Sequence, residues 1–263
     1  MERNIAPNRN EQELAAHGIK ISVRAFASTG DFMEKFKIQH IPAILYGKPA
    51  KKLFLFIHGK NGYKEEAEPF AAIACPNGYQ VLSFDLPEHG ERRGETGTFN
   101  PWHTVPEFKC VLSNVRDRWD RISIRANSIG AYFSMLSFAE ESIDRCLFVS
   151  PILDMELLID NLMKWSDVTE EQLANQKIIP TNFGETLSWE YLSYVRKHGI
   201  VKWDIPTSIL YGTADNLTEK KTVVAFVKQF GCKLTLVPDG EHWFHTPKQL
   251  DILEKWTKDT ISG

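Results

Sequence analysis

The sequence has little excess charge of either sign, because 31 Lys and Arg residues face 34 Asp and Glu residues and leave a net charge of −3. Proteins that bind nucleic acid or an anionic membrane surface usually carry a clear basic excess. We therefore expect neither nucleic acid nor a membrane as a partner. The sequence leaves homo-oligomerisation open.

Cysteine is scarce and widely spaced, with four residues at Cys75, Cys110, Cys146 and Cys232. No two of them form a C-x-x-C pair or a zinc-like spacing, so we expect no metal site and a reducing compartment. No run approaches the roughly 18 apolar residues of a membrane-spanning helix. The polar start of the chain also lacks the apolar stretch of a secretory signal, and we expect a cytoplasmic location.

What the sequence does contain is typical of a globular protein, with 43% hydrophobic and 25% charged residues in a chain of 263. These values exclude wholesale disorder, collagen-like repeats and coiled coil. A chain of this length buries a large core without disulfides or metals. There is neither an internal repeat nor a low-complexity linker, so we predict one domain over residues 1–263.

Short apolar runs alternate with stretches of helical periodicity along most of the chain. The runs lie at residues 53–57, 81–84, 122–124, 146–149, 208–211 and 234–237. The helical stretches lie at residues 65–75, 105–119, 129–141, 219–230 and 247–260. Runs that are apolar at every position are typical of strands buried on both faces, and strand–helix alternation indicates crossover connections. The fold class is therefore predicted as α/β, with a mostly parallel twisted sheet and helices on both faces.

Two regions depart from this alternation. Near the start, residues 19–26 alternate apolar and polar side chains and residues 36–45 are strand-like, which predicts a small antiparallel meander. Between the runs at 146–149 and 208–211, about 50 residues show helical patterning with no strand candidate. We expect residues 152–205 to form a helical cap insert over the carboxyl edge of the strands, where open α/β sheets bind ligands.

The segment Ala126-Asn127-Ser128-Ile129-Gly130 joins a predicted strand directly to a helix through a single serine. Small residues lie two positions before and two positions after Ser128, as a strained strand-to-helix turn with an exposed serine requires. The helix N-terminus places the backbone N–H of Ile129 beside the serine oxygen, ready for a developing oxyanion. Ser128 is therefore the predicted nucleophile, and an ordinary serine N-cap is the alternative interpretation.

A second signal is the glycine-rich turn His58-Gly59-Lys60-Asn61-Gly62, which follows the most apolar run. Its glycines leave backbone N–H groups uncovered, and in this architecture the loop supplies a second oxyanion donor, which we assign to the backbone of Lys60. A plain strand-to-helix turn is the alternative interpretation. We expect His58 to brace this loop rather than to act as a base or a metal ligand.

An acid and a histidine follow the last two predicted strands, as Asp215 in Gly212-Thr213-Ala214-Asp215 and His242 in Gly240-Glu241-His242. Because Ser128, Asp215 and His242 all lie beyond the carboxyl ends of strands, a parallel sheet can bring them together. His242 is then the predicted base, and Asp215 fixes its tautomer. His245 is a rival base; His242 is favoured because it comes directly after the turn at residues 239–240.

These motifs resemble those of the α/β-hydrolase fold, of the serine esterase and lipase type, over roughly residues 50–260. In addition, Asp85-Leu86-Pro87-Glu88-His89-Gly90 resembles the D-x-P-G-H-G turn of that family, with Glu88 in place of a glycine. A second departure is Ala126, which replaces the first glycine of G-x-S-x-G. The resemblance implies a serine hydrolase that cleaves carboxylic esters of small or medium chain through an acyl-enzyme, without a cofactor.

The expected substrate is a small-molecule ester, and Trp165, Trp189 and Trp243 are candidate substrate-binding residues. For the tryptophans of the insert, packing of the cap onto the core is the alternative interpretation. Ser128, Asp215 and His242 would also suit an acyltransferase, a thioesterase, an amidase or a C–C hydrolase, because a fold does not determine the reaction. A hydrolase-like protein that binds a small ligand without turnover is a further alternative.

Overall fold

A computed structural model describes residues 32–262 of the chain. The predicted strand at residues 19–26 therefore lies outside the described residues. Residues 36–45 contain two strands that pair antiparallel, so the described part of the predicted meander is a hairpin.

Eight strands form one sheet in the order β1-β2-β4-β3-β5-β6-β9-β10. They are β1 (Met33–Ile38), β2 (Ile41–Tyr46), β3 (Lys52–Ile57), β4 (Tyr79–Phe84), β5 (Arg121–Asn127), β6 (Cys146–Val149), β9 (Thr207–Gly212) and β10 (Lys233–Val237). Only the pairs β1–β2 and β2–β4 are antiparallel, and the other five pairs are parallel. The predicted fold class, a mostly parallel sheet, is thus confirmed.

The helices follow the strands much as the periodicity predicts. They are α1 (Glu68–Ala74), α2 (Pro101–Val115), α3 (Ile129–Phe138), α4 (Met155–Trp165), α5 (Glu170–Gln176), α6 (Trp189–Lys197), α7 (Lys220–Phe230) and α8 (Pro247–Ser262). Helix α2 begins four residues earlier than predicted, because the Asn100 side chain caps it by accepting from the His103 N–H and Pro101 occupies the first turn.

The hydrophobic core lies on both faces of the sheet, and β3 contributes side chains to each face. Its odd-numbered residues Leu53, Leu55 and Ile57 pack on the side of α2 and α3. Phe54 and Phe56 pack on the opposite side with residues of α1 and α8. Since side chains alternate across a strand, a continuously apolar run is what a strand covered on both faces requires.

The insert between β6 and β9 is helical only in part. It contains α4, α5 and α6, as the patterning predicts, and also the strands β7 (Ile178–Pro180) and β8 (Thr186–Ser188), which pair antiparallel. The expectation that this region holds no strand is therefore wrong. Three residues are too few for a readable alternation, and the hairpin is held by local bonds between Thr181 and Glu185.

The turn after β4 is organised by a buried ion pair. The Asp85 side chain is 0% exposed and accepts from the backbone N–H of Lys64 (2.9 Å), from its ammonium (2.9 Å) and from the Glu91 N–H (3.0 Å). Lys64 is itself 2% exposed. Gly90 has φ +54, and a Cβ there would lie 2.0 Å from an Asp85 oxygen, so only glycine fits.

We predict that Asp85→Ala lowers the free energy of unfolding by about 4 kcal/mol, because it removes the fully buried partner of the Lys64 ammonium and leaves the more exposed Glu91 carboxylate at 2.7 Å. Urea denaturation followed by tryptophan fluorescence measures the loss. Asp120→Ala is the control, since Asp120 pairs with Lys51 on the surface and its removal should change stability little. Equal losses in the two variants would contradict a stabilising role for the buried pair.

Candidate active site

Ser128 lies on a strained turn between β5 and α3, with φ +50 and ψ −121. Such a conformation is costly for a residue with a side chain and persists only where its surroundings enforce it. Ala126 is fully buried, and a Cβ on Gly130 would lie 2.5 Å from the His58 carbonyl oxygen. The small residues Ala126 and Gly130, which the sequence analysis singled out, therefore allow β3 and α3 to pack closely around Ser128.

The three residues predicted to form a triad meet above the carboxyl ends of the strands. Ser128 Oγ lies 2.7 Å from His242 Nε2, and His242 Nδ1 lies 2.7 Å from Asp215 Oδ2. The Asp215 side chain is 0% exposed. Because a carboxylate only accepts, Nδ1–H donates to Asp215, and Nε2 keeps the lone pair that can accept the serine proton.

Backbone contacts hold the loops that carry the acid and the histidine against each other. The Ala214 N–H donates to the Gly240 carbonyl at 2.8 Å, and a Cβ on Gly212 would lie 2.2 Å from that same oxygen. The second Asp215 oxygen accepts from the N–H groups of Leu217 and Thr218. Both carboxylate oxygens are thus engaged, which fixes the orientation of the carboxylate plane.

The rival base His245 does not reach the serine. Its Nδ1–H donates to the Trp243 carbonyl at 2.8 Å, and its ring stacks on the Trp243 ring with the centroids 4.6 Å apart. The structure therefore brings His242, and not His245, to Ser128.

Two backbone segments, which contain the predicted donors Ile129 and Lys60, flank the serine. Ile129 is the first residue of α3, so its N–H has no acceptor within the helix. On the other side, the Gly62 N–H donates to the Gly59 carbonyl and closes a turn over Lys60. A Cβ on Gly59 would lie 3.3 Å from Ser128 Cβ, so this turn packs directly on the serine. Ile129 thus directly follows Ser128, and the turn that contains Lys60 packs against the serine through Gly59.

His58 joins this turn to the loop after β4. Its Nδ1–H donates to the Gly59 carbonyl at 2.7 Å, and its Nε2 accepts from the Leu86 N–H at 3.1 Å. Burial lowers the pKa of His58 to about 4, so the ring is neutral at pH 7. His58 therefore braces the loop with both ring nitrogens engaged.

A cavity of about 340 Å³ opens beside His242, and Leu217 and Trp243 are also among the residues that line it. Trp243 is 73% exposed. The structure does not bring the other two candidate tryptophans to this cavity. Trp165 lies half-exposed at the end of α4, and Trp189 packs against the core at the start of α6.

No family model matches the sequence. A curated relative, the α/β hydrolase ucsC from an Acremonium species, is 27% identical over 144 residues, which cover 48% of this chain and 28% of that protein. The matched region is thus less than a third of that relative's length.

Several solved structures have a similar backbone fold over most of the length of this chain. Est1E from Butyrivibrio proteoclasticus, solved with ferulic acid bound, superposes with a TM-score of 0.67 at 19% identity, over 87% of this chain and 97% of that one. Mouse α/β hydrolase domain-containing protein 10 has a TM-score of 0.69 at 12% identity, over 88% and 98%. A monoacylglycerol lipase from Paleococcus ferrophilus has a TM-score of 0.63 at 16% identity, over 84% and 98%.

The chain has the α/β-hydrolase fold. Within residues 32–262, no cluster of three or more His, Cys, Asp or Glu side chains is arranged to hold a metal ion. The helices in this range are also too short or too polar to cross a membrane.

The sequence analysis missed one contact near the candidate active site. The Lys60 ammonium pairs with the Glu185 carboxylate, which lies in the turn between β7 and β8. The insert therefore touches the turn that carries a predicted oxyanion donor. No sequence signal links two side chains 125 positions apart, because only the packing of the insert brings them together.

We predict that Gly130→Ala destabilises the fold by about 2 kcal/mol, although alanine is the better helix former. The new Cβ would meet backbone and side-chain atoms of Ile57 and His58 within 3.0 Å. Gly199→Ala is the control, since a Cβ there has no neighbour within 4 Å. If urea denaturation gives the same stability for both variants, close packing behind Ser128 is not what requires the glycine.

We predict that His58 makes the protein sensitive to acid. Its folded-state pKa lies below the ordinary value of 6.5, so its neutral form contributes stability above pH 6.5, and this contribution is lost as the pH falls towards 4. Between pH 7 and pH 4.5, wild type should lose about 2 kcal/mol more than His58→Asn in the free energy of unfolding.

Comparing each protein with itself at the two pH values removes any constant cost of the substitution. Gly199→Ala is the control, because it changes no titratable group and a Cβ there has no neighbour within 4 Å, so its pH dependence should match that of wild type. If His58→Asn shows the same pH dependence of stability as wild type, other groups are responsible for the acid sensitivity.

Proposed function

We propose that the protein is a serine hydrolase that cleaves carboxylic esters of small or medium chain. The observation that carries this proposal is the continuous relay from Ser128 Oγ through the His242 imidazole to the buried Asp215 carboxylate, with 2.7 Å at each step. Such a relay activates a serine that is otherwise a weak nucleophile. The fold shared with Est1E and with a lipase supports the same reaction class.

In the first half of the proposed reaction, Ser128 Oγ attacks the ester carbonyl carbon while His242 Nε2 takes the serine proton. The carbonyl oxygen becomes an oxyanion between the N–H groups of Ile129 and Lys60. The imidazolium that forms is stabilised by the Asp215 carboxylate. His242 then protonates the leaving alcohol, the bond from the carbonyl carbon to the alcohol oxygen breaks, and the acyl group stays on Ser128.

In the second half, water replaces the alcohol. Neutral His242 removes a proton from the water as its oxygen attacks the acyl carbon, and the same N–H groups hold the second oxyanion. The imidazolium returns the proton to Ser128 Oγ as the acid leaves. Every proton moved in this cycle passes through His242, so no metal or redox cofactor is required by the scheme.

The cavity beside His242 gives the proposal its substrate class. Its volume of about 340 Å³ suits a small or medium acyl or aryl group, which Leu217 and Trp243 could contact. The other lining residues, Asn216, Glu241, His242 and His245, are polar. Trp243 is the tryptophan that we propose as a substrate contact. The half-exposed Trp165 and the core-packed Trp189 are not needed for this cavity.

We predict that Ser128→Ala lowers kcat for ester hydrolysis by about 10³-fold or more, because it removes the nucleophile. The assay uses p-nitrophenyl acetate, butyrate and octanoate together with methyl ferulate, and it compares them with a thioester and an anilide. The chain-length preference measures the size of the cavity, and the last two substrates distinguish an esterase from a thioesterase or an amidase.

Ser134→Ala is the matched control for the nucleophile variant. Ser134 is a buried serine of α3 whose hydroxyl donates to the Gly130 carbonyl, so its loss should leave kcat nearly unchanged. If wild type and Ser128→Ala hydrolyse the esters equally, Ser128 has no catalytic role. A wild type that is inert on the whole panel favours a ligand-binding protein.

A further inference from the structure

Arg125 is a buried cation with no carboxylate partner among the described residues. Its side chain belongs to β5 and the residue is 3% exposed. One guanidinium nitrogen, Nη1, donates to the Asn127 side-chain oxygen at 2.6 Å and to the Ala126 carbonyl at 3.1 Å, and Nε has no partner. Burial lowers the pKa of Arg125 to about 9, so the side chain still carries its charge at pH 7.

Aromatic rings surround this guanidinium instead of acids. Its central carbon lies 5.7 Å from the ring centroid of Phe56, 5.8 Å from that of Phe70 and 6.0 Å from that of Trp256. Cation–π contacts recover only part of the cost of desolvating a charge. An apolar residue, like Ile122 and Ile124 on the same strand, would fill this position at lower cost, so the charge itself needs an explanation.

The position of Arg125 in the fold supplies an explanation for its charge. The residue lies three positions before Ser128 on the same strand, roughly 10 Å away along the backbone. It points to the face covered by α1 and α8, since Phe70 belongs to α1 and Trp256 to α8. These are the helices that follow the Lys60 turn and the His242 loop, so the cation lies beneath the point where both segments approach the serine.

Asn127 connects the cation to the site directly. It receives the shortest Arg125 hydrogen bond and is the residue immediately before Ser128. A Cβ on Gly59 would lie 3.6 Å from the Asn127 carbonyl oxygen and 3.8 Å from its Cβ, so Asn127 packs against the turn that carries Lys60. Fixing the Asn127 side chain therefore fixes the contact between Ser128 and that turn.

We propose that Arg125 is a positioning residue for ester hydrolysis, which holds Asn127 against the turn at Gly59 and favours the oxyanion with its uncompensated positive charge. This inference rests on the proposed function. The serine and the ester are neutral before attack, and negative charge develops on the carbonyl oxygen only in the transition state. A positive charge buried away from water stabilises the negatively charged transition state more than the neutral ground state. Its loss should therefore change kcat more than KM.

We predict that Arg125→Met lowers kcat for p-nitrophenyl butyrate by about tenfold, with KM changed by less than about twofold. Arg125→Lys keeps the charge and should restore kcat to within about threefold of wild type. A merely structural role would not separate kcat from KM, nor would it distinguish lysine from methionine in two variants of similar thermal stability.

Arg145→Met is the matched control. Arg145 is also partly buried, it also has an Nε without a partner, and its guanidinium also lies near two rings, those of Phe54 and Tyr79. It donates to the Thr260 and Ile261 carbonyls at the end of α8. Whereas Ser128 follows the carboxyl end of β5, Arg145 directly precedes β6, at the amino ends of the parallel strands. Its loss should reduce stability and leave kcat unchanged.

Asn127→Ala tests the same idea if Arg125→Met does not fold. It keeps the cation and removes the side-chain oxygen that accepts from Arg125 next to Ser128, and it should lower kcat several-fold at constant KM. Values of kcat within twofold of wild type for Arg125→Met, or for Asn127→Ala where the former does not fold, would overturn the proposal. A loss in Arg145→Met equal to that in Arg125→Met would overturn it as well.

Reaction of Ser128 with a fluorophosphonate probe separates failure of this inference from failure of the proposed function. The attack on phosphorus also builds negative charge on an oxygen in the same place, so the labelling rate should follow the order wild type, Arg125→Lys, Arg125→Met. A wild type that neither hydrolyses esters nor is labelled contradicts the proposed function. An active wild type with equal labelling rates in all variants contradicts only the role of Arg125.

Discussion

The hydrogen bond from His242 to the buried Asp215 carboxylate is the contact on which the geometry of the site depends. Asp215 lies out of solvent, so each of its oxygens must find a donor, and one accepts from the imidazole while the other accepts from Leu217 and Thr218. These bonds hold the loops after β9 and β10 in one arrangement. Ser128 meets the imidazole because only β6 separates β5 from β9, and β10, which precedes His242, pairs with β9.

Charged side chains are buried at only a few places in an otherwise apolar sheet, and each of them is stabilised in a different way. Asp85 is neutralised by the equally buried Lys64, and Asp215 accepts hydrogen bonds from the imidazole that it orients and from two backbone N–H groups. Both arrangements fix loops at the carboxyl edge of the strands. Arg125 differs, because aromatic rings and an amide oxygen replace the carboxylate. In the proposed mechanism, a positive charge left uncompensated beneath the proposed oxyanion position favours the oxyanion, whereas a neutralised charge would not.

The elements that the sequence predicted best are those with the strongest local pattern. The run 53–57 became β3, buried on both faces, and the serine turn was found because a small residue on each side of Ser128 is a local steric requirement. The hairpin β7–β8 was missed because three-residue strands carry no readable period. Arg125 had a signal that went unused: a charged residue inside a strand that the pattern predicts to be buried.

The sequence by itself determined the mostly parallel sheet, the serine turn and the order of the three candidate residues, because hydrophobic periodicity and the small residues of tight turns act over a few neighbouring positions. Only the tertiary structure decided that His242 rather than His245 reaches Ser128, that Trp243 rather than Trp165 lines the cavity, and that Lys60 meets Glu185. Those outcomes depend on how loops far apart in the chain pack against one another. Such packing is determined by the sum of many weak contacts, which no local pattern records.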